Sequence, residues 1–320
     1  MAMIAQIRDL DPNNDSSALA RLLTLEMQDL TTEEGLREDY ETHKDRILCL
    51  RIASSEQGEV QGFNWLTRDR NDEQRAYFYV VVSREYRHQG IGSRLYQEIE
   101  EVTLVSAIRE LRATFPDTLP ESRVFADKRG FTLISHSIGM KIELKTLDLQ
   151  PYLDLATELE KQGFEFTSME ALGNTEADQR KLYLLNDVTS SQTMGSEGER
   201  SWSSFEDFQQ SVCQSDWYKP SGQMVVIEKS TGKWVAMSAI TRFEGQEEAY
   251  NLFTGVDEAY RGRKLAQAVK AQALLFARDV LGVKLVRTNH NALNEPMIAI
   301  DRKFGYVQSP GYFYMRKYLA

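Results

Sequence analysis

Apolar positions along the chain follow two rhythms. Runs of β-branched and aromatic residues at 47–53, 61–67 and 77–82 predict strands, the last reading Tyr-Phe-Tyr-Val-Val-Val. Elsewhere apolar residues recur every three or four positions, which is helical spacing. Leu19, Leu22, Leu23 and Met27 mark one such face, and Ile91, Leu95 and Ile99 another. From 91 the pattern predicts a helix to about 107 and a strand at 110–115. A short helix at 121–128, stopped by Gly130, and a closing strand pair across 131–144 follow. A link at 145–150 leads to a bridging helix to 162, with Pro151 in its first turn.

The rhythm then restarts: a strand at 164–167, a charged helix at 176–186 and a short helix at 205–213. Strands at 224–228, 234–241 and 248–256 come next. A long helix then runs to 281, followed by a strand at 283–288, a helix at 294–304 stopped by Gly305, and a final strand region at 306–318. Residues 190–204, rich in Ser, Gly and Glu, read as an exposed loop. The class is α/β.

The two series register against each other. Val82 precedes Arg87 by five positions, as Val256 precedes Arg261, and Tyr86 matches Tyr260. Gly130-Phe131 lies 43 residues beyond Arg87, and Gly305-Tyr306 lies 44 beyond Arg261. Four matches in one order favour a duplicated domain. The expected division is a first domain at 1–144, a linker and bridging helix at 145–163, and a second domain at 164–320. In each half a strand, a glycine-bearing turn and a helix start come together. First-turn N–H groups lack intrahelical partners, and the helix dipole adds partial positive charge, so the arrangement is a phosphate cradle.

Composition narrows the setting. The 320 residues carry a net charge of -10, which argues against a nucleic-acid or anionic-membrane partner. No apolar run approaches the roughly 18 residues of a membrane span, and the N-terminal stretch lacks the apolar centre of a signal peptide. Cys49 and Cys213 form no CxxC pair, so a reduced, cytoplasmic state is expected. His43, His88, His136 and His290 are scattered without metal-ligand spacing, so no metal is expected.

The stretch 82–92 with Gly130-Phe131 resembles the GNAT acetyltransferase family, whose signature is Q/R-x-x-G-x-G/A after the fourth strand. Residues 254–270 (TGVDEAYRGRKLAQAVK) and 288–306 resemble the same family in its tandem, mycothiol synthase-like form. The resemblance implies two GNAT-like domains in tandem, each a mixed twisted sheet flanked by helices. It also implies a CoA-thioester site in each half.

In the first half, Arg87, His88, Gln89, Gly90, Ile91, Gly92 and Ser93 would hold the pyrophosphate. Val80 and Val82 would offer strand backbone to the pantetheine. In the second half, Arg261, Gly262, Arg263, Lys264, Leu265 and Ala266 take the loop role, and Thr254 and Val256 the strand role. Asn294 stands where members often carry an asparagine near the cofactor. Two departures stand out. Lys264 replaces a signature glycine, and the position of the family's acid tyrosine holds Ala126 in one half and Asp301 in the other.

The implied function is N-acetyl transfer from acetyl-CoA, as acyl donor, to a primary amine of a small molecule. Transfer would be direct, in a ternary complex, with Glu248 as the candidate catalytic base. The alternatives are acetylation of a protein N-terminus or lysine, and a non-catalytic CoA-binding scaffold. The protein is expected to act as a monomer or homodimer, and as a duplicated fold it is expected to have only one active half.

Overall fold

The two series of elements become two units in the computed structural model, which describes residues 5–27, 31–70, 72–193 and 202–319. One unit comprises the chain up to His136 together with the stretch from Tyr312 onward; the other comprises Ser137–Gly311.

The first unit begins with β1 (Gln6–Asp9) and α1 (Pro12–Leu22), which continues as a π-helical turn, Leu23–Met27. Then come α2 (Glu33–His43), β2 (Ile47–Ser54), β3 (Val60–Arg68) and β4 (Arg75–Val82). They are followed by α3 (Ile91–Val105), β5 (Glu110–Pro116) and α4 (Pro120–Asp127). Strand β6 (Thr132–Glu143) leaves this unit after His136 and enters the second.

There follow α5 (Gln150–Lys161), β7 (Phe164–Ser168), α6 (Glu176–Ser191) and the short α7 (Phe205–Phe208). The second sheet is built by β8 (Gln223–Glu228), β9 (Lys233–Thr241) and β10 (Ala249–Val256). Then α8 (Leu265–Asp279), β11 (Leu285–Asn291) and α9 (Glu295–Phe304) lead to β12 (Val307–Tyr318), which returns to the first unit at Tyr312. Of the predicted loop at 190–204, residues 194–201 lie outside the described residues.

Within each unit the strand order is mixed, and the two orders share one plan. The first runs β1-β2-β3-β4-β5-β12 and the second β7-β8-β9-β10-β11-β6. All neighbours are antiparallel except β4 with β5 and β10 with β11. Each parallel pair is bridged by a helix, α3 or α8, as a crossover requires. The predicted face of α3 does the packing. Leu95 and Ile99 are fully buried, and burying each contributes about 1.5–3 kcal/mol.

The closing strands differ from the sequence expectation. The predicted pair at 131–144 is one twelve-residue strand. Its residues Ser137–Glu143 pair with β11, while Tyr312–Tyr318 of β12 pairs with β5. Each sheet is thus closed by a strand that follows the other half in sequence, and the division at 144 and 164 is not the division of the contacts. Two glycines permit the arrangement within the second unit. A Cβ on Gly139 would sit 2.0 Å from the Pro310 carbonyl oxygen, and one on Gly311 would sit 1.9 Å from that of Ser137. Only glycine allows backbones so close. Among the described residues no helix is long and apolar enough to cross a membrane.

Candidate active site

In the first unit the β4–β5 ladder ends at Tyr77–Arg112, so the two strands part over the C-terminal half of β4. A cleft of about 600 Å³ opens there. Val80, Val82, Arg87, His88, Gly90, Gly92 and Ser93, all predicted for the donor site, line it. Phe78, Phe115 and Phe131, with Ala126 beside them, form an apolar, largely aromatic floor, and Phe125 and Arg129 contribute a wall from α4 and the turn after it. Two predicted residues lie elsewhere. Ile91 packs into the core beside Ala53 and Leu95, and the Gln89 side chain donates to the Glu85 carbonyl.

The turn before α3 is held by its arginine. Arg87 Nε donates to the Val82 carbonyl at 3.1 Å, and its other nitrogens donate to Glu26 and Glu121. Glu26 also accepts from the Arg84 backbone N–H at 2.9 Å. Arg129 lies 3.4 Å above the Phe125 ring and donates to Ser93 Oγ at 2.9 Å. Burial lowers its pKa. Sequence reasoning missed Glu26, Glu121 and Arg129. The two glutamates stand 61 and 34 positions from Arg87, on other elements.

The second unit repeats the geometry with different chemistry. Its β10–β11 ladder ends at Tyr250–Arg287, and a bulge between Asn251 and Phe253 bends β10 where the strands part. Arg261 Nε donates to the Val256 carbonyl at 3.3 Å, and a terminal nitrogen donates to Gln192 Oε1 at 3.0 Å. A neutral amide therefore stands where Glu26 faces Arg87.

Backbone conformation is shared too, with glycine in opposite places. His88 and Gly262 occupy the left-handed region at φ 62° and 80°, and Gly90 and Lys264 occupy it at φ 83° and 64°. Lys264 therefore adopts the turn that the signature glycine makes in the first unit, and its side chain is exposed. Leu265 and Ala266 are buried, and Arg263 stacks on the Tyr260 ring. Thr254 Oγ1 is engaged by Ser238 Oγ at 2.9 Å, and Val256 packs in the core. Asn294 caps α9 through its backbone, with no side-chain capping bond.

Glu248, the expected base, precedes β10 at the end where the strands still pair, and there it accepts from Arg287. In the first unit, Arg75 with Glu110 makes the corresponding pin across β4 and β5, and Glu110 also pairs with Arg112 on its own strand. The structure ties Glu248 to the closed end and does not bring it to the parted strands.

The chemistry beneath the second unit's parted strands comes from residues the motifs did not select. Lys270 of α8 and Asp301 of α9 are fully buried and hydrogen-bonded to each other. The second Asp301 oxygen lies 2.7 Å from Nε2 of His290 on β11. The Lys270 ammonium lies 4.7 Å from the centre of the Tyr306 ring, whose buried hydroxyl has no hydrogen-bond partner among the described residues. Burial lowers the Lys270 pKa against the pull of Asp301. Burial alone would raise that of Asp301, but the His290 hydrogen bond and the Lys270 charge hold it below the usual range. Burial, reinforced by Asp301, pushes the Tyr306 hydroxyl well up. One signal was legible in the sequence: Lys270 falls on the same helical face as Ala266, Ala273, Leu274 and Ala277, which are all buried.

Comparison with known proteins agrees with the shared geometry. A GCN5-related N-acetyltransferase from Sphaerobacter thermophilus superposes with a TM-score of 0.72 at 17% identity, covering 98% of this chain and 95% of that one. A tandem GNAT protein from the clavulanic acid biosynthesis pathway gives 0.66 at 16% identity, covering 98% of each chain. At such identities the likeness is one of fold. No curated protein sequence matches the chain. The model of the acetyltransferase (GNAT) family, however, matches it twice, at residues 17–131 and 185–306. Those stretches hold both turns and both parted strand pairs, and the chain belongs to the GNAT acetyltransferase family, in tandem form.

Proposed function

We propose that the protein is an N-acetyltransferase, moving the acetyl group of acetyl-CoA to a primary amine of a small molecule by direct transfer in a ternary complex. The observation that carries this reading is the first unit's cleft, where β4 and β5 part in front of the α3 N-terminus. The free side of β4 offers unpaired main-chain groups to an extended chain bearing amides. The α3 N-terminus offers N–H groups and dipole to a diphosphate, and Lys128 and Arg129 line the same cleft. The aromatic floor suits the thioester end.

The acceptor must lose its ammonium proton before it attacks. A C–N bond then forms at the carbonyl, the C–S bond breaks, and the thiolate takes up a proton. A net charge of -10 favours approach of a cationic acceptor.

A second reading, donor binding without turnover, is favoured for the first unit by one observation. At its floor Phe115, Ala126 and Phe131 exchange no proton.

Titration calorimetry with acetyl-CoA, beside thiol release over a panel of amines, tests both. Acetyl-CoA is expected to bind, and Gly92→Trp to remove one site. The Gly92 Cβ direction points at Phe125, Val82 and Val80, so a large side chain there fills the cleft. Amine-dependent thiol release marks an enzyme, binding without release marks a scaffold, and no affinity for acetyl-CoA defeats both readings.

A further inference from the structure

Three floor residues of the first cleft have structural counterparts in the second unit. Counting from the last parallel pair, Phe115 lies three beyond Arg112, and His290 lies three beyond Arg287. The Phe131 N–H bonds the Ala126 carbonyl at 3.2 Å, as the Tyr306 N–H bonds that of Asp301 at 3.1 Å. Tyr96 and Lys270 are each the sixth residue of a fifteen-residue helix that starts at the cradle turn. The group Lys270, His290, Asp301 and Tyr306 therefore occupies the floor where the first unit has a donor cleft.

We infer that His290 is the proton-transferring residue of an acyl-transfer centre in the second unit, with Asp301 and Lys270 as its positioning residues. This rests on the acetyl-transfer reading above.

The first support is that the fold does not need these charges. The first unit fills the same four places with Tyr96, Phe115, Ala126 and Phe131. Burying a lysine and an aspartate without solvent is costly even when they are paired, so their presence calls for a use. The second is orientation. An ionised Asp301 only accepts hydrogen bonds, so His290 Nε2 carries the hydrogen and Nδ1 of the neutral ring keeps a lone pair. The third is the Tyr306 hydroxyl, a buried donor with no hydrogen-bond partner among the described residues, beside the same carboxylate.

The step balances without another reactant. Nδ1 of His290 takes a proton from the amine nitrogen as the C–N bond forms at the thioester carbonyl. The C–S bond then breaks, and the same proton passes to the departing thiolate. Asp301, bonded to Nε2, keeps the ring oriented between the two events. Lys270, from the opposite helix, holds Asp301 in place. These are the charged groups packed against His290 from α9 and, behind it, α8.

The test is thiol release by the full chain, read as kcat and KM separately, for the wild type, His290→Gln and His290→Phe. The phenylalanine is the residue the first unit tolerates at this place. Both variants are expected to lose about 100-fold or more in kcat with KM little changed. In Lys270→Met/Asp301→Asn no unpaired charge remains. A smaller loss in kcat is expected there, again with KM little changed, because the imidazole is still present but is no longer held by an ionised carboxylate. Full kcat in the His290 variants, or a change in KM alone, would overturn the inference while leaving acetyl transfer standing. A wild type that turns over no amine would overturn both.

Discussion

The floors of the two units are the same frame filled in two ways. Around the first cleft Tyr96, Phe115 and Phe131 pack with Phe78, with ring centres between 5.5 and 6.2 Å apart for the pairs Phe78–Phe131, Phe78–Tyr96 and Tyr96–Phe131. At the matching places in the second unit, Lys270, Asp301 and His290 form a hydrogen-bonded chain. A frame that accepts both fillings does not owe its stability to either. The difference teaches that the two halves have diverged where the acyl group would lie, while the cradle turns, the arginine braces and the parting of the strands have been kept.

The largest expected way to break the comparison is to unpair the buried charges. Asp301→Ala leaves the Lys270 ammonium alone in the core and is expected to cost about 3–5 kcal/mol in urea denaturation. Lys270→Met/Asp301→Leu, which moves the floor towards the apolar filling of the first unit, should recover most of that loss. A single variant as stable as the wild type would mean that the pair is not charged.

The same pair sets a pH signature. The Asp301 pKa is lower in the folded protein than its unfolded value of about 3.9. Its contribution is therefore fully present above that value and is lost as pH falls through the lower, folded one. Wild type should lose urea midpoint below about pH 4 more steeply than the double variant, and equal slopes would contradict the assignment.

A hydroxyl sharpens the contrast further. Tyr306→Phe removes a buried donor without a partner among the described residues and should stabilise by about 1 kcal/mol. Phe131→Tyr in the first unit should cost about 1–3 kcal/mol.

The smallest effects belong to the turns. His88→Gly and Lys264→Gly each relieve a left-handed side chain at the expense of unfolded-state entropy, for a net gain of about 0.5 kcal/mol. Gly90→Ala and Gly262→Ala should each lose about 1 kcal/mol. Thermal midpoints of all four would show whether the turns are energetically alike.

Much of this was legible in the sequence because it is local. The cradle turns follow from glycines and helical spacing over a dozen residues. Strands such as β3 and β4 fall within one or two residues of the expected runs. What was hidden depends on contacts distant in sequence. The pattern at 131–144 announces strand but cannot name its partner, and β11 is nearly 150 residues away (Leu285 opposite Glu143, Asn291 opposite Ser137). Glu248 looked like a base because it stands beside a strand start, yet Arg287, 39 residues on, claims it. Asp301 was visible as a missing tyrosine. Its meaning came only with His290 and Lys270, brought from 11 and 31 residues away.

The strand exchange carries a consequence for synthesis on the ribosome. The partner of β5 is residues 312–318, which emerge only after the entire second unit, Ser137–Gly311, has been made. At about 5–20 residues per second the nascent first sheet waits roughly 10–35 s with the backbone edge of β5 open. An open edge is a template for wrong pairing, so crowding on a polysome is the stage at which this architecture is most exposed. The fragment 1–144, cut where the sequence suggests a boundary, would carry that open edge permanently.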